Sequence, residues 1–243
     1  MKFEYATYTD KGGRDNNEDS IVVCENAGRL ILVVADGLGG HACGEVASRI
    51  ACETASRVFN QMEEVNEANL EALIKACDMD ICEYQNGNPE CEKMRTTFSM
   101  VVCCDKKIYR AYVGDSRVYR FFKSGKYEHT LDHSVPQMLV AAGEIKESDI
   151  RYHVDRNRLL KVLGNEEAEL KPVVEPPVKA VAWDAYLLCS DGFWELITEK
   201  EMNKCLYWAK SPQAWLDKML EIVRKNGEGK ECDNCSAITL FIR

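Results

Sequence analysis

Two short apolar runs of this chain each end in Asp-Gly. Residues 30–37 read LILVVADG and residues 186–192 read YLLCSDG, so Asp36 follows the first run directly and Asp191 follows the second. A continuous apolar run of this length, bounded by a turn signal, is typical of a strand that is covered on both faces. We therefore predict two central strands, each of which delivers a carboxylate to the edge of a sheet.

The remaining patterns come in blocks of strands and helices. Alternation of apolar residues from Phe3 to Thr9 predicts a first strand, and apolar stripes after Gly44 recur at the spacing of a helix. Residues 97–104, 108–113 and 118–122 predict an antiparallel meander in which Gly114-Asp115-Ser116 is a hairpin turn. Further strands are predicted at 178–183, 186–189 and 236–242, a loop at 86–89, and helices around Leu70, after Thr198 and after Ser211. Because strands and helices do not alternate strictly along the chain, the pattern favours a layered α+β architecture.

The composition limits the kinds of partner. The chain has 243 residues, which we expect to form a single domain over 1–243, and its formal charge is −9. An acidic surface of this kind disfavours nucleic acid and anionic membranes as partners. No run of apolar residues is long enough to span a bilayer, and the first residues lack an apolar leader. We expect a cytoplasmic monomer.

Cysteine is abundant in this sequence, with 12 residues scattered mainly through apolar runs. In a reducing compartment this distribution predicts buried thiols rather than disulfides. Cys232 and Cys235 flank Asp233 as Cys-x-x-Cys, which raises the hypothesis of redox control at this carboxylate, although incidental cysteines explain the spacing as well. A redox or zinc-binding module would need clustered thiols that the spacing does not provide.

Acidic residues occur next to several predicted strands. They are Glu18, Asp19, Asp36, Asp115, Asp191 and Asp233. If these carboxylates converge they repel one another, and hard divalent cations relieve that repulsion. A set of oxygen ligands without histidine or thiolate indicates Mg²⁺ or Mn²⁺ rather than zinc. The alternative is that each Asp-Gly is only a turn signal.

Five motifs in this order resemble the metal-dependent protein phosphatase family called protein phosphatase 2C. They are RDNNED at 14–19, VADGLGGHACGEVAS at 34–48, VGDSR at 113–117, SDG at 190–192 and DN at 233–234. The stretches DHS at 132–134 and 153–164 also resemble the flap region of bacterial members. The resemblance implies a four-layer α-β-β-α sandwich, in which two antiparallel sheets are flanked by helices, with a flap-like insertion at about 132–164.

The resemblance also implies a chemistry. A member of this family is a serine/threonine protein phosphatase that hydrolyses phosphoserine and phosphothreonine with a water activated between two Mn²⁺ or Mg²⁺ ions. Its substrates would be phosphorylated proteins, the targets of a serine/threonine kinase. A catalytically weak regulator that binds phosphoproteins on the same fold is the alternative, and such a regulator should show a broken set of acidic ligands.

Individual residues take their expected roles from the family. Asp36 would bridge two ions, the Gly37 carbonyl would join one of them, and Asp191 and Asp233 would bind the other. Glu18 and Asp19 would act directly or through water, and Asp115 with Asp191 would hold a third, weaker ion. Arg14 would bind the phosphate, since its planar guanidinium suits two phosphate oxygens; a surface salt bridge is the alternative.

This chain departs from many eukaryotic relatives in one position. Leu38 stands directly after Asp36-Gly37, where those relatives have a histidine proposed as the general acid. The leaving group must then take its proton from water or from another residue. His41 is expected to fix the loop before the helix, with a catalytic role as the alternative, and His133 and His153 in the flap are left unassigned.

Overall fold

The computed structural model describes residues 2–38, 43–166 and 169–243. The strands are β1 (Phe3–Asp10), β2 (Asp19–Asn26), β3 (Arg29–Leu38), β4 (Arg95–Thr96), β5 (Phe98–Cys104), β6 (Lys107–Val113), β7 (Arg117–Phe121), β8 (Tyr127–His129), β9 (Val173–Val174), β10 (Val178–Lys179), β11 (Ala185–Cys189) and β12 (Cys235–Ile242). The helices are α1 (Gly44–Gln61), α2 (Glu67–Gly87), α3 (Val135–Ala141), α4 (Asp191–Trp194), α5 (Glu199–Tyr207) and α6 (Pro212–Gly227), with 3₁₀ turns at Pro89–Cys91 and Glu147–Tyr152. Within these ranges, no helix combines the length and the apolar character needed to cross a bilayer.

The strands form two sheets with antiparallel pairing. The first sheet has the order β1-β12-β11-β7-β8. The second has the order β10-β6-β5-β3-β2, with β4 added to β3 and β9 added to β6. The predicted strands at 30–35 and 186–189 therefore lie in different sheets, as β3 and β11.

The apolar side chains are buried in three layers. Leu32 and Val34 of β3 pack between the sheets with Leu188 and Ile238 of the first sheet. On its other face, β3 packs against α1 and α2, while α5 and α6 cover the first sheet. Both faces of β3 are covered, which explains why its sequence is a continuous apolar run. The four-layer α-β-β-α sandwich of the α+β class is confirmed.

The predicted meander is wrong at the turn that contains Asp115. β5 and β6 pair in the second sheet, whereas β7 pairs with β8 and β11 in the first. Gly114-Asp115-Ser116 is thus a corner between the sheets, and Gly114 there has a φ of 103°, which favours glycine. Glycine and aspartate are common both in hairpin turns and in connections between sheets, so the sequence could not distinguish the two.

Two other local predictions need correction. The loop predicted at 86–89 overlaps the end of α2, which continues to Gly87, and a 3₁₀ turn follows. Of the strand predicted at 178–183, only Val178–Lys179 pairs with a neighbour. Trp183 has a left-handed backbone, with a φ of 80°, and its side chain is exposed. Residues 181–183 are therefore an exposed turn, whereas Ala180 before them is buried.

The helix starts predicted late in the chain are observed. Thr198 accepts a hydrogen bond from the Glu201 amide at 3.4 Å, and Glu201 accepts one from the Thr198 amide at 2.9 Å. This reciprocal capping satisfies two amides at the start of α5 that have no partner within the helix. Ser211 accepts from the Ala214 amide at 3.1 Å at the start of α6.

The segment 132–164 is anchored at both ends and in its middle. Asp132 forms a buried ion pair with Arg117, with bonds of 2.8 and 2.7 Å. Arg151 donates to the Trp194 and Ile197 carbonyls, at 2.6 and 2.8 Å, and the Gly164 amide donates to Asp78 at 2.7 Å. These contacts fix the segment beside α4. Its role as a flap, and the single catalytic unit over 1–243, stay predictions.

The prediction that all cysteines are buried thiols is wrong in two respects. Cys43 and Cys91 form a disulfide, although 48 residues separate them in sequence. Cys24, Cys82 and Cys232 are free but only partly buried. The disulfide could not be read from local spacing, because only the packing of α1 beside the 3₁₀ turn at Pro89–Cys91 brings the two residues together.

Candidate active site

The second sheet places Asp36 at the end of β3 and fixes its backbone. The Asp36 amide donates to Thr97 Oγ1 at 3.0 Å, and its carbonyl accepts from Thr96 Oγ1 at 2.9 Å and from the Thr97 amide at 2.8 Å. Asp19 on β2 lies directly opposite Asp36 in the sheet register. The two threonines therefore hold a carboxylate beside another carboxylate, a role that the sequence did not assign to them.

The first sheet brings two more carboxylates to the same edge. Asp191 begins α4 immediately after β11, and Asp233 stands just before β12, the neighbour of β11. Ser190 Oγ donates to Asp19 Oδ2 at 2.7 Å, and it also accepts from the Ser236 amide at 3.0 Å. This serine ties the two sheets together directly beneath the acidic residues.

The corner between the sheets positions Asp115. Trp194 Nε1 donates to the Asp115 carbonyl at 3.1 Å, and Ser116 Oγ lies 2.7 Å from Thr97 Oγ1. The Gly114 amide donates to His133 Nδ1 at 3.1 Å. Burial, with Lys161 nearby, lowers the pKa of His133 to about 4, so this ring is neutral at pH 7 and able to accept that bond. His133 therefore stabilises the connection between β6 and β7.

A cleft of about 390 Å³ opens over these residues. Of the residues predicted for the site, it is lined by Arg14, Glu18, Asp36, Gly37, Asp115, Asp191 and Asp233. Asp19 is 7% exposed and lies outside the cleft wall, beside Asp36. The rest of the wall consists of Asp15, Asn16, Leu38, Asn234 and, from the segment 132–164, Asn157 and Leu159, whereas His153 does not line it. His41 lies outside the described residues.

Asn234 connects two loops of the site in a way that the sequence did not indicate, although it belongs to the DN motif at 233–234. Its Oδ1 accepts from the Glu18 amide at 2.8 Å, and its Nδ2 donates to the Lys11 and Asn16 carbonyls, both at 2.9 Å. It thereby holds the loop that carries Arg14 and Glu18 against the loop that carries Asp233. Only the folded chain places these two loops side by side.

Close backbone packing fixes the end of β3 that carries Asp36 and Gly37. The Gly37 amide donates to the Glu18 carbonyl at 3.1 Å, and Ser48 Oγ donates to the same carbonyl at 2.5 Å. A Cβ atom on Gly37 would collide with the Gly44 carbonyl, and a Cβ on Gly44 would collide with the Glu18 side chain. The first turn of α1 therefore packs directly on Gly37.

Burial and mutual repulsion raise the pKa values of several carboxyl groups at the site. Burial, followed by the charge of Asp233, raises the pKa of Asp191 to about 8. Burial also raises the pKa of Asp36 and the pKa of Asp115 well above the usual range, with Asp19 adding to the shift of Asp36 and Asp191 to that of Asp115. The pKa of Asp19 is raised to about 6 by burial, against the lowering effect of its bond from Ser190. Such a cluster favours a bound cation.

The donors fit divalent metal ions. Asp19 Oδ1 is buried without a hydrogen-bond partner, and the other donors are carboxylate and carbonyl oxygens, which Mg²⁺ and Mn²⁺ prefer. In the part of the chain that the structure describes, no three His, Cys, Asp or Glu side chains come close enough to hold an ion unaided. Water and carbonyls such as that of Gly37 would complete the coordination, since Mg²⁺ usually keeps several waters.

The family model for protein phosphatase 2C matches residues 12–232. The chain belongs to the protein phosphatase 2C family. The match includes all the residues that line the cleft except Asp233 and Asn234, which follow directly after its last residue.

This member of the protein phosphatase 2C family is similar in sequence and structure to several bacterial phosphatases. The chain is 33% identical over 240 residues to the serine/threonine phosphatase stp of Listeria innocua, covering 95% of this chain and 92% of that protein. The crystal structure of the serine/threonine phosphatase Stp1 from Staphylococcus aureus superposes with a TM-score of 0.91 at 29% identity, covering 100% of this chain and 96% of that one. The catalytic domain of the phosphatase PstP in complex with two manganese ions superposes with a TM-score of 0.83 at 27% identity, over 98% of this chain and 97% of that one.

We expect the metal-free protein to lose stability as the pH rises from about 6.5 to about 8. Asp191 keeps its proton in the folded state up to a pH of about 8, whereas the unfolded chain has already lost it, so raising the pH costs about 1.4 kcal/mol per pH unit for this group. Burial also raises the pKa of Asp36 and the pKa of Asp115, which adds to the loss in the same direction. His133 has the opposite slope, but its effect ends near its unfolded pKa of about 6.5. Thermal unfolding in EDTA should show a melting temperature that falls by at least about 2–4 °C per pH unit.

Two further measurements make this prediction specific. Asp191→Asn should reduce the slope in EDTA, because it removes one of the groups that retain a proton. Saturating Mn²⁺ should abolish or reverse the slope in the unmodified protein, since the ion competes with protons for the carboxylates. A melting temperature that is independent of pH in EDTA would contradict the raised pKa values.

Proposed function

We propose that this chain is a metal-dependent serine/threonine protein phosphatase, which hydrolyses phosphoserine and phosphothreonine in proteins. The observation that carries the proposal is a single cleft in which Asp36, Asp191 and Asp233 converge beside Arg14. Relatives that match nearly the whole chain carry the name serine/threonine phosphatase. An intact acidic set is what a catalytic member requires, and it argues against a regulator that only binds phosphoproteins.

The metal ligands are assigned from the resemblance to the family, and all of them except Asp19 line one cleft. Asp36 would be shared by two ions, Gly37 would provide a carbonyl to one of them, and Asp191 and Asp233 would serve the other. Glu18 and Asp19 would act directly or through water, and Asp115 with Asp191 would hold a third, weaker ion. The two manganese ions in the PstP structure support a centre with two ions. Two divalent ions held there would supply a water ionised near neutral pH as the nucleophile and would neutralise charge on the phosphoryl group.

Arg14 binds the phosphoryl oxygens of the substrate. Its side chain is 56% exposed at the rim of the cleft, and it donates to Asp233 Oδ2 at 2.7 Å. The charge of Asp233 raises the pKa of the Arg14 guanidinium further, which therefore stays cationic in the working range. A guanidinium anchored through one nitrogen beside the acidic cluster still offers donors in a planar fork, a geometry that suits two phosphate oxygens.

We propose that the leaving hydroxyl takes its proton from water, with His41 as the alternative donor. Leu38 occupies the cleft wall where a histidine would stand in many relatives, and it has no proton to give. Within the described residues, His133 faces the corner at Gly114 and His153 lies outside the cleft lining. The cleft is open to solvent at Arg14, so water reaches the site of reaction.

The cellular setting is part of the proposal. We place the protein in the cytoplasm as a monomer, acting on phosphorylated proteins that are targets of a serine/threonine kinase. Ten cysteines are free thiols, seven of them buried, which supports a reducing compartment. The acidic surface, with a formal charge of −9, supports proteins rather than nucleic acid or anionic lipid as partners.

Hydrolysis assays test the proposal. Purified protein should hydrolyse p-nitrophenyl phosphate and a phosphothreonine peptide with Mn²⁺ or Mg²⁺, and EDTA should abolish both activities. A phosphotyrosine peptide of the same sequence serves as the matched substrate control and should be hydrolysed more slowly. Folded protein that turns over none of these substrates with either metal would contradict the assignment.

A further inference from the structure

The only disulfide in the described part of the chain lies beside the proposed metal centre. Cys43, the residue before α1, is bonded to Cys91, and their Cα atoms are 5.5 Å apart. Gly44 at the start of α1 packs on Gly37, and β4, which follows Cys91, pairs with Gly37 and Leu38. The bond therefore joins the two segments that enclose Gly37, whose carbonyl is a proposed ligand.

The backbone of Cys43 has an uncommon conformation at the start of α1. Its φ is 71°, in the left-handed region, which residues other than glycine adopt rarely and only where the surroundings impose it. The Cys43 carbonyl accepts from the Val46 and Ala47 amides, both at 3.1 Å, and so begins α1. The covalent bond to Cys91 thus helps to hold the first turn of α1 in the position where it contacts Gly37.

The two sulfurs differ in access to solvent. Cys91 is 3% exposed and belongs to the hydrophobic core, whereas Cys43 is only partly buried. Cys232 and Cys235, the pair that the sequence suggested for redox control, are less suited to form a switch. Cys235 is buried, and Cys232 Sγ donates to the Gly227 carbonyl at 3.3 Å, with both thiols free.

We propose that Cys43 and Cys91 form a thiol–disulfide switch that sets the affinity of the metal centre. In the oxidised form the bond holds the start of α1 against Gly37, and the ions bind tightly. In the reduced form Cys43 is free to leave its left-handed conformation, and ion binding weakens. The proposal rests on the proposed function, and it agrees with the general finding that disulfides in reducing compartments are transient and regulatory.

The oxidation requires a small-molecule disulfide such as oxidised glutathione. The Cys43 thiolate attacks one sulfur of this reagent, which forms a mixed disulfide and releases one thiol. The Cys91 thiolate then attacks the Cys43 sulfur, which forms the internal bond and releases the second thiol. The two protein thiols lose two protons and two electrons, and the two released thiols carry them away.

Titration calorimetry with Mn²⁺ tests the switch on the full chain. Metal-free protein is oxidised with glutathione disulfide or reduced with dithiothreitol and then desalted without oxygen, and alkylation with mass spectrometry verifies the state of Cys43 and Cys91. We expect reduced protein to bind Mn²⁺ about tenfold more weakly, since ordering about one backbone residue before the ion binds costs roughly that factor. Cys43→Ser and Cys91→Ser should bind like reduced protein under both conditions. Cys82→Ser, the matched control on α2, should keep the full response.

Amide hydrogen exchange provides a readout that needs no metal. The Val46 and Ala47 amides should exchange faster in reduced than in oxidised protein. Equal Mn²⁺ affinities, or equal exchange at these two amides, would overturn the switch while leaving the phosphatase assignment intact. Failure to bind Mn²⁺ in both states would instead overturn the metal centre, and the switch with it. If a serine variant does not fold, the comparison of the two redox states of the unmodified protein decides the question.

Discussion

Asp36→Asn is expected to lower kcat/KM for p-nitrophenyl phosphate at least about a thousandfold in saturating Mn²⁺, a loss of about 4 kcal/mol in transition-state stabilisation. Asp36 is the proposed ligand shared by both ions, and asparagine has nearly its shape without its charge. The backbone of this residue is held by Thr96 and Thr97 through bonds that do not involve its carboxylate. The substitution should therefore remove the metal pair without disturbing β3.

Stability measurements separate this effect from misfolding. In EDTA the melting temperature of the Asp36→Asn protein should be equal to or higher than that of the unmodified protein, because asparagine is uncharged and its burial requires no uptake of a proton. Asp217→Asn is the matched control, since Asp217 lies on α6 and accepts only a bond from Gln213 at 2.8 Å among the described residues. Near-normal turnover by the Asp36→Asn protein would refute the two-metal assignment.

Arg14→Ala is expected to lower kcat/KM by about a hundredfold, mainly through a higher KM, because hydrogen bonds to a charged phosphate contribute about 1.5–3 kcal/mol. Arg14→Lys keeps the charge but loses the planar fork, and it should fall between the alanine variant and the unmodified protein. Arg49→Ala is the control, as Arg49 is a half-exposed arginine of α1 that pairs with Glu53. Initial-rate kinetics on p-nitrophenyl phosphate at a fixed Mn²⁺ concentration measure all three.

The same variants decide between the two roles that the sequence left open for Arg14. If the bond to Asp233 is only a salt bridge, its loss should change the Mn²⁺ affinity and leave KM for the phosphate ester unchanged. If Arg14 binds phosphate, KM should rise at saturating Mn²⁺, and inorganic phosphate should inhibit the Arg14→Ala protein more weakly. A KM within about threefold of the original would exclude a strong phosphate contact.

Much of this fold could be predicted because its signals are local. The continuous apolar run of β3 reflects burial on both faces, and the helix spacing after Gly44 reflects one buried face of α1. The capping residues of α5 lie three positions apart in the sequence. Each acidic residue follows or precedes an apolar run. The sequence alone therefore predicts that each lies near the end of a strand.

Other parts of the site depend on contacts between distant residues. The role of Asn234 requires the loops at Arg14 and Asp233 to lie side by side, and the bond from Ser190 to Asp19 joins residues 171 positions apart. The corner at Asp115 has the same residue types as a hairpin turn, so only the sheet to which β7 belongs distinguishes the two. No local pattern contains this information.

The sequence by itself favoured a layered α+β architecture and placed acidic residues at the ends of predicted strands, since these features depend on residue type and on position relative to apolar runs. The four-layer arrangement and the role of each carboxylate came from the resemblance to the family. The tertiary structure decided that Asp115 stands at a corner between sheets, that Asp191 has a pKa near 8, and that Cys43 is bonded to Cys91. Each of these depends on burial and on the approach of segments far apart in the chain. Burial raises the cost of charge and brings sulfurs within bonding distance, and neither effect exists until the chain has folded.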